Sequence, residues 1–321
     1  MTKDSRKKAM GTSLPTLLAL EIGASKCQLA LGHPDGKILL RHRMAVDRSA
    51  GGAGIRAQIE ASVRGWRQQG HRWAAAGCGY GGPVDWRTGR ICCSHHVIGW
   101  DDFPLGEWLS DLCAVPSSVD NDTNVAALAE AILGAGKGAD PVFYTNSGSG
   151  VGGGLVTAGR LYHGAPPGEA EFGHLRLDRS GTIVEDRCSG WAVDKKIRAL
   201  KDSGGLGQLM QALPAVPGGE ARFLAAAAAS GDPLALQVLA ETADDLAFAL
   251  SHAVHLFHPA IIVLGGGLSL IGERWRTAVE AALPRFVMTA FLPPPPVRLA
   301  SLGEDVVPAG ALLLAAQIAF H

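Results

Sequence analysis

The chain has 321 residues, a formal net charge of −1, and 47% hydrophobic against 18% charged residues. That length can bury one large core or two ordinary ones, and so balanced a charge offers no footprint for nucleic acid or an anionic membrane. Glycine is the outlier: its 42 residues are about twice the usual share of ~7%, without a collagen-like period, which points to many tight turns and close backbone approaches.

Residues 1–13 read as a polar leader. The basic start followed by an apolar stretch from Leu14 imitates a secretory signal, but Glu21 interrupts it and no small-residue cleavage site follows. Three strand-like runs, 17–22, 27–31 and 38–44, predict an antiparallel meander, with Pro34-Asp35-Gly36 as its second turn. Ile55, Ile59, Val63 and Trp66 are spaced for a helix over 55–69. A strand over 74–79 then runs into Gly81-Gly82-Pro83. Asp120 to Thr123 supply cap chemistry for a helix over 124–134. Strands over 142–145 and 151–156 bracket a glycine turn, and helices are predicted over 191–201, 220–229 and 233–257. A buried strand, 261–264, ends in three glycines; Pro293 to Pro296 force an extended connector, and an apolar helix covers 309–320. Strands and helices in this succession mean α/β. The six cysteines (27, 78, 92, 93, 113 and 188) form no C-x-x-C pair, a usage that suits reduced thiols and a cytoplasmic protein.

Three glycine-rich turns follow predicted strands: Glu21-Ile22-Gly23-Ala24-Ser25-Lys26, Gly148-Ser149-Gly150-Val151-Gly152-Gly153-Gly154, and Gly265-Gly266-Gly267. Singly each reads as a tight turn. Three at strand ends point to nucleotide phosphates, because glycine lets backbone N–H groups converge on phosphate oxygens. In Asn121-Asp122 the carboxylate suits a general base and the amide can orient the same substrate; a plain helix cap is the competing reading, and the two roles are compatible. Glu169, Glu171 and His174 fall within six residues, a set suited to polyol hydroxyls, although alone it reads as a solvated loop.

In this order the pieces resemble the ROK family of sugar kinases and sugar-responsive repressors. Its D-I-G-G-T-K motif is similar to Glu21 to Lys26, and its G-x-P-G-x-V-D turn to Gly79-Tyr80-Gly81-Gly82-Pro83-Val84-Asp85. Its E-N-D-A-N-x-A-A-L-A-E segment is similar to Asp120 to Glu130, its G-T-G-V-G-G-G to Gly148 to Gly154, its G-A-x-G-x-A-G-E-x-G-H to Gly164 to His174, and its late L-G-G-G to Leu264 to Gly267. The resemblance implies an actin-like (ribonuclease H-like) two-domain fold with a cleft between the domains. The expected boundaries are a small domain over 14–119, completed by 306–321, and a large one over 120–305. It further implies ATP-dependent phosphorylation of a hexose or hexose derivative, with ATP and Mg²⁺, by a cytoplasmic homodimer. Asp122 would be the base, and Asn121, Asp122, Gly82, Glu171, His174 and Glu185 would hold sugar. Glu21, Gly23, Ala24, Ser25, Lys26, Ser147, Gly148, Ser149, Gly150, Gly152, Gly265, Gly266 and Gly267 would surround the nucleotide, with Glu21 also near Mg²⁺.

Two departures stand out. Family kinases hold a structural zinc through the His of G-E-x-G-H and three Cys of a following loop, yet 175–184 contains no cysteine. A structural zinc wants four N/S ligands, so no structural zinc is expected; Cys92, Cys93, His95 and His96 match no zinc spacing. Glu21 stands where the family has Asp, and its extra methylene moves the charge by about 1.5 Å. Both departures motivate the alternative of a catalytically impaired sugar-binding protein. A repressor is disfavoured because only about 16 residues precede the first strand, too few for a helix-turn-helix. An actin-fold ATPase acting on a non-sugar would not need Glu171, His174 and Glu185. Polyphosphate stays open beside ATP as donor.

Overall fold

The computed structural model describes residues 14–23, 26–94, 97–168, 170–214 and 216–320. Its strands are β1 Leu17–Ile22, β2 Lys26–Gly32, β3 Ile38–Ala45, β4 Ala76–Tyr80, β5 Val84–Asp85, β6 Arg90–Ile91, β7 Ser117–Asn121, β8 Val142–Ser147, β9 Val151–Thr157, β10 Arg160–Leu161, β11 Ile261–Gly265 and β12 Val297–Leu299. Its helices are α1 Gly51–Gln68, α2 Leu105–Cys113, α3 Asp122–Ile132, α4 Glu185–Cys188, α5 Gly190–Asp202, α6 Gln208–Ala212, α7 Leu224–Ala229, α8 Pro233–Phe257, α9 Glu273–Ala282 and α10 Val306–Ala319.

The strands form two five-stranded sheets, ordered β3-β2-β1-β4-β7 and β10-β9-β8-β11-β12. Each sheet has three antiparallel strands followed by two parallel ones, so one plan occurs twice. The glycine turn after β1 and the one after β8 therefore occupy equivalent corners.

Strand alternation divides the cores. Leu18, Leu20 and Ile22 of β1 face outward onto Ile55, Ile59 and Val63 of α1 and Leu105 and Leu109 of α2. Leu17 and Ala19 face inward, onto a layer made of α3 and α10 that also meets Val142 and Tyr144 of the second sheet. The far face of that second sheet, with Phe143 and Ile262, is covered by α5, α7, α8 and α9. The result is five layers, helix–sheet–helix–sheet–helix, with both sheets buried on both faces.

The middle layer fits because its contact residues are small. A Cβ at Gly77 of β4 would run into the Ala311 carbonyl of α10, and one at Gly310 into the Val125 carbonyl of α3. Glu130, fully buried, fastens the far end of α3. Its carboxylate accepts from the Ala135 N–H (2.7 Å), the Ser301 N–H (2.9 Å) and the Leu302 N–H (2.8 Å), just before α10. Among the described residues no single helix is long and apolar enough to cross a membrane.

Candidate active site

In the first sheet, parallel pairing sets Ile22 level with Tyr80, and Tyr80 level with Asn121. Three strands thus end together, and the residues just beyond them (Gly23, Gly81 and Asp122) gather at one edge. The carboxyl ends of parallel strands are where open α/β sheets bind ligands. Asn121 is the N-cap of α3: its side-chain oxygen accepts from the Thr123 N–H (2.8 Å) and the Asn124 N–H (3.3 Å). Its amide nitrogen donates to the Gly82 carbonyl at 3.2 Å, tying the glycine turn to the helix start. Helix α3 therefore begins two residues before the expected 124, with Asn121 rather than Asp or Thr as its cap.

Asp122 lies in the first turn of α3, close against the glycine turn: a Cβ on Gly81 would stand 3.2 Å from its Oδ2, a tight contact. Burial pushes its carboxyl up from the usual carboxylate range to about 6, and the neighbouring charge of Glu21 pushes the same way. Glu21 itself is buried; its Oε2 accepts from the Gln28 side-chain amide and faces Lys26 Nζ at 3.4 Å. Lys26 is thus paired across the hairpin with the carboxylate it follows in sequence. Gly23 closes that hairpin by donating to the Lys26 carbonyl at 2.7 Å. Ala24 and Ser25 lie outside the described residues.

The equivalent corner of the second sheet carries the longer glycine turn. Ser147 ends β8, and the Gly148 N–H returns to the Gly150 carbonyl at 2.9 Å. Gly265 pairs with Asn146, so the third glycine turn lies beside it, and Gly266 (φ 79°) would place a Cβ 2.6 Å from the Ser147 backbone. Around Gly148 the space is open, and Ser149 is exposed. Asn146 Nδ2 donates to Thr123 Oγ1 at 3.1 Å, which holds this turn against the start of α3.

The 164–174 loop gives a looser picture. Phe172 anchors it by packing against Phe143 at 5.4 Å, whereas Glu171 and His174 are exposed and face each other at 3.9 Å. Glu169, His95 and His96 lie outside the described residues. Glu185, expected beside Glu171 and His174, has its Oε2 on the Val151 N–H at 2.9 Å, against Gly150. One of its oxygens is therefore occupied by the glycine turn.

A hairpin-like turn stands between His174 and Glu185. The Val184 N–H donates to the Leu175 carbonyl at 3.0 Å, and the Leu177 N–H to the Thr182 carbonyl at 2.9 Å. The Asp178 carboxylate accepts from the N–H groups of Ser180, Gly181 and Thr182 and from the Ser180 hydroxyl. Donors from Ser180 and Thr182 hold this carboxyl well below the usual range. His174 is the only N/S donor of this stretch. Among the described residues no three His, Cys, Asp or Glu side chains gather to hold a metal. The residues present do not fit a four-ligand zinc.

Sequence reasoning gave Asp120 and Thr123 cap chemistry alone and assigned Asn146 no role, yet the three join the two sheets around Asp122. Asp120 is buried and touches His163, from the loop after β10. Nothing in local spacing marks His163 as its partner, since 43 residues separate them.

The family model described as ROK family matches residues 17–318. A glucokinase of Halalkalibacterium halodurans is 29% identical over 313 residues, covering 90% of this chain and 91% of that protein. The bifunctional enzyme NanE/NanK of Brucella melitensis is 31% identical over 270 residues, covering 84% of this chain and 48% of that protein. Among solved structures, a ROK family glucokinase from Streptomyces griseus, in complex with glucose and AMPPNP, superposes with a TM-score of 0.80 at 28% identity. That match covers 94% of this chain and 99% of the other.

Proposed function

Because the chain belongs to the ROK family and has its actin-like α/β fold, we propose that it is a sugar kinase transferring a phosphoryl group from ATP to a hydroxyl of a hexose or hexose derivative. The observation that carries this reading is the placement of Asp122: beyond three level strand ends, in a glycine-lined corner, with its carboxyl raised to about 6. A base with a pKa just below neutrality is largely ionised at pH 7 and still takes a proton readily. The family relatives support the rest, since those named above are glucokinases and an enzyme with a NanK half.

In the reaction, the sugar hydroxyl oxygen bonds to the γ-phosphorus, the bond from that phosphorus to the ADP oxygen breaks, and the hydroxyl proton passes to Asp122. Most of the catalysis is positioning. The 147–152 turn, with the Gly265 to Gly267 turn beside it, and the hairpin at Gly23 form the nucleotide side; the Gly23 N–H is already bonded to the Lys26 carbonyl, so that corner contributes shape rather than this donor. The second amide hydrogen of Asn121, the Gly82 turn, Glu171 and His174 form the sugar side. Glu185, whose Oε2 is held by the Val151 N–H of the glycine turn, has its other oxygen left for the sugar side. Glu21, at the glycine corner beside Asp122, is the carboxylate that would lie toward a Mg²⁺ ion, and the ion when bound would neutralise phosphate charge. On this reading the chain divides into a large domain, 120–305, and a small one, 14–119 with 306–321; the packing of α10 against β1 and β4 supports the second part, and α3, which α10 also touches, links the two. A cytoplasmic homodimer completes the reading.

A sugar panel assayed with ATP and with polyphosphate, followed by NMR of the product, tests it. Phosphorylation of a hexose at one hydroxyl, dependent on Asp122, is the expected result. ADP release with every sugar absent and no phosphosugar formed would overturn it.

A further inference from the structure

Three segments that must come together around the sugar meet in one buried stack that includes none of the residues assigned above. Trp86 sits on the turn between β5 and β6, four residues after Gly82. His163 opens the loop that carries Glu171 and His174. Asp120 is the residue before Asn121-Asp122. The Trp86 and His163 rings stack at 4.3 Å with an interplanar angle of 14°. His163 Nε2 stands 2.6 Å from Asp120 Oδ2, both side chains being largely buried. Asp120 Oδ1 accepts from the Asn121 N–H (2.8 Å) and from Asn124 Nδ2 (2.9 Å). Each contact on Asp120 is thus a donor, and two of them come from the cap residue and the first turn of α3.

The loop is pressed onto this stack at a second point. Gly168 has φ 65°, and a Cβ there would stand 2.9 Å from Trp86 Nε1 and 2.8 Å from the His163 carbonyl. The indole N–H of Trp86 is itself buried without a hydrogen-bond partner among the described residues. Displacing the sugar loop therefore pulls on His163, then on Asp120, and then on the peptide that sets Asn121 and Asp122.

We propose that His163 is a positioning residue: through its bond to Asp120 and its stack on Trp86, it couples the seating of the sugar loop to the alignment of Asn121 and Asp122. This inference rests on the assignment of Asp122 as base. His163 touches no reacting atom, so its loss lowers turnover rather than nucleotide affinity.

The test compares His163→Phe, which keeps an aromatic ring on Trp86 but removes the donor, with His163→Gln, which returns a nitrogen near the Nε2 position. His163→Phe is expected to lower kcat at saturating sugar and ATP by about tenfold or more, the worth of one hydrogen bond to a charged group. The ATP KM stays unchanged, and His163→Gln recovers most of the loss. A folded His163→Phe protein with a lower Tm and unchanged kcat has lost structure alone, which overturns the proposal. Should His163→Phe fail to fold, Asp120→Asn removes the charge and replaces one accepting oxygen with an amide donor at constant volume, and unchanged kcat there overturns it equally. Hydrogen exchange reads the same link without turnover. Faster exchange in both 120–126 and 163–168 of His163→Phe supports it, and faster exchange in 163–168 alone overturns it. Failure of the kinase reading shows separately, as a wild-type protein that phosphorylates no sugar.

Discussion

The corner that holds Asp122 and the loop that holds Glu171 and His174 face the same proposed substrate and are built in opposite ways. Asp122 is placed by backbone: level strand ends, a helix N-terminus capped by Asn121, and glycines that leave no slack. Burial and a neighbouring carboxylate then adjust its proton affinity. Glu171 and His174 lie in solvent on a short turn, anchored by Phe172 beneath them and by the Asp178 turn beyond them. The first arrangement suits chemistry, where a small misplacement is costly. The second suits recognition, where side chains must release solvent and adapt to hydroxyls. Rigid base and pliable grip are separate tasks, and different parts of the chain carry them.

Substitutions at the two places should therefore read out differently. The largest effect is expected for Asp122→Asn, which should lower kcat at least the ~10²-fold attributed to a general base while leaving sugar affinity close to wild type. The same variant tests the burial argument. A carboxyl raised from 3.8 to about 6 in the folded protein opposes folding once ionised, so its cost is absent below pH 3.8 and grows as pH rises through 6. Asp122→Asn should raise Tm at pH 8 and change it little at pH 3.5; calorimetry at the two values checks this. Near-wild-type turnover would erase the contrast between the regions.

On the recognition side, Glu171→Ala should raise the sugar KM by about 10- to 150-fold, the equivalent of ~1.5–3 kcal/mol for a hydrogen bond to a charged group, with the ATP KM unmoved. Glu185→Ala should raise both, because it also frees the Val151 N–H of the glycine turn. Isothermal titration with sugar and with a nucleotide analogue separates the two, and an unmoved nucleotide affinity in Glu185→Ala would leave that carboxylate to the sugar alone. A smaller effect is expected for Glu21→Gln. Removing the charge that helps to raise Asp122 should move the acid limb of the kcat/KM profile below pH 6, and a limb that stays put would leave burial as the whole cause. The smallest is Asp178→Ala, which should loosen the hairpin between His174 and Glu185 and raise the sugar KM a few-fold with kcat unchanged. Chelation followed by Mg²⁺ should leave wild-type kcat intact, and elemental analysis finding one tightly held zinc per chain would overturn the metal-free account of that hairpin.

Much of this was legible from residue order. The first meander announced itself through alternating apolar runs and Pro34-Asp35-Gly36, and β1, β2 and β3 lie where the pattern put them. Strand β7 escaped because Ser117-Ser118-Val119-Asp120-Asn121 has a single apolar residue. It is held instead by polar pairings such as Ser117 Oγ with the Gly106 carbonyl, which no pattern of hydrophobicity can reveal. Helix α9 buries Trp275, Val279 and Ala282 at helical spacing, but its Glu- and Arg-rich face hid the stripe. The segment expected as one helix over 220–229 divides into a 3₁₀ turn and α7. Local motifs located Asp122 and the glycine turns. The grip of Glu185 on Val151 and of His163 on Asp120 depends on how distant segments meet, and nothing short-range encodes that.

Helix α10 gives this architecture a timetable. It fills the inner face of the first sheet, touching β1, β4 and α3, and sits so close to Gly77 that no other residue would fit there. Until residues 306–319 have been synthesised, the inward side chains Leu17, Ala19 and Ala30 lack the α10 half of the layer that covers them. At about 5–20 residues per second, the first sheet emerges from the ribosome well before its lining does. The corner that holds Asp122 therefore matures only after translation of the last helix, and chaperones that shield apolar strands would meet this chain in the interval.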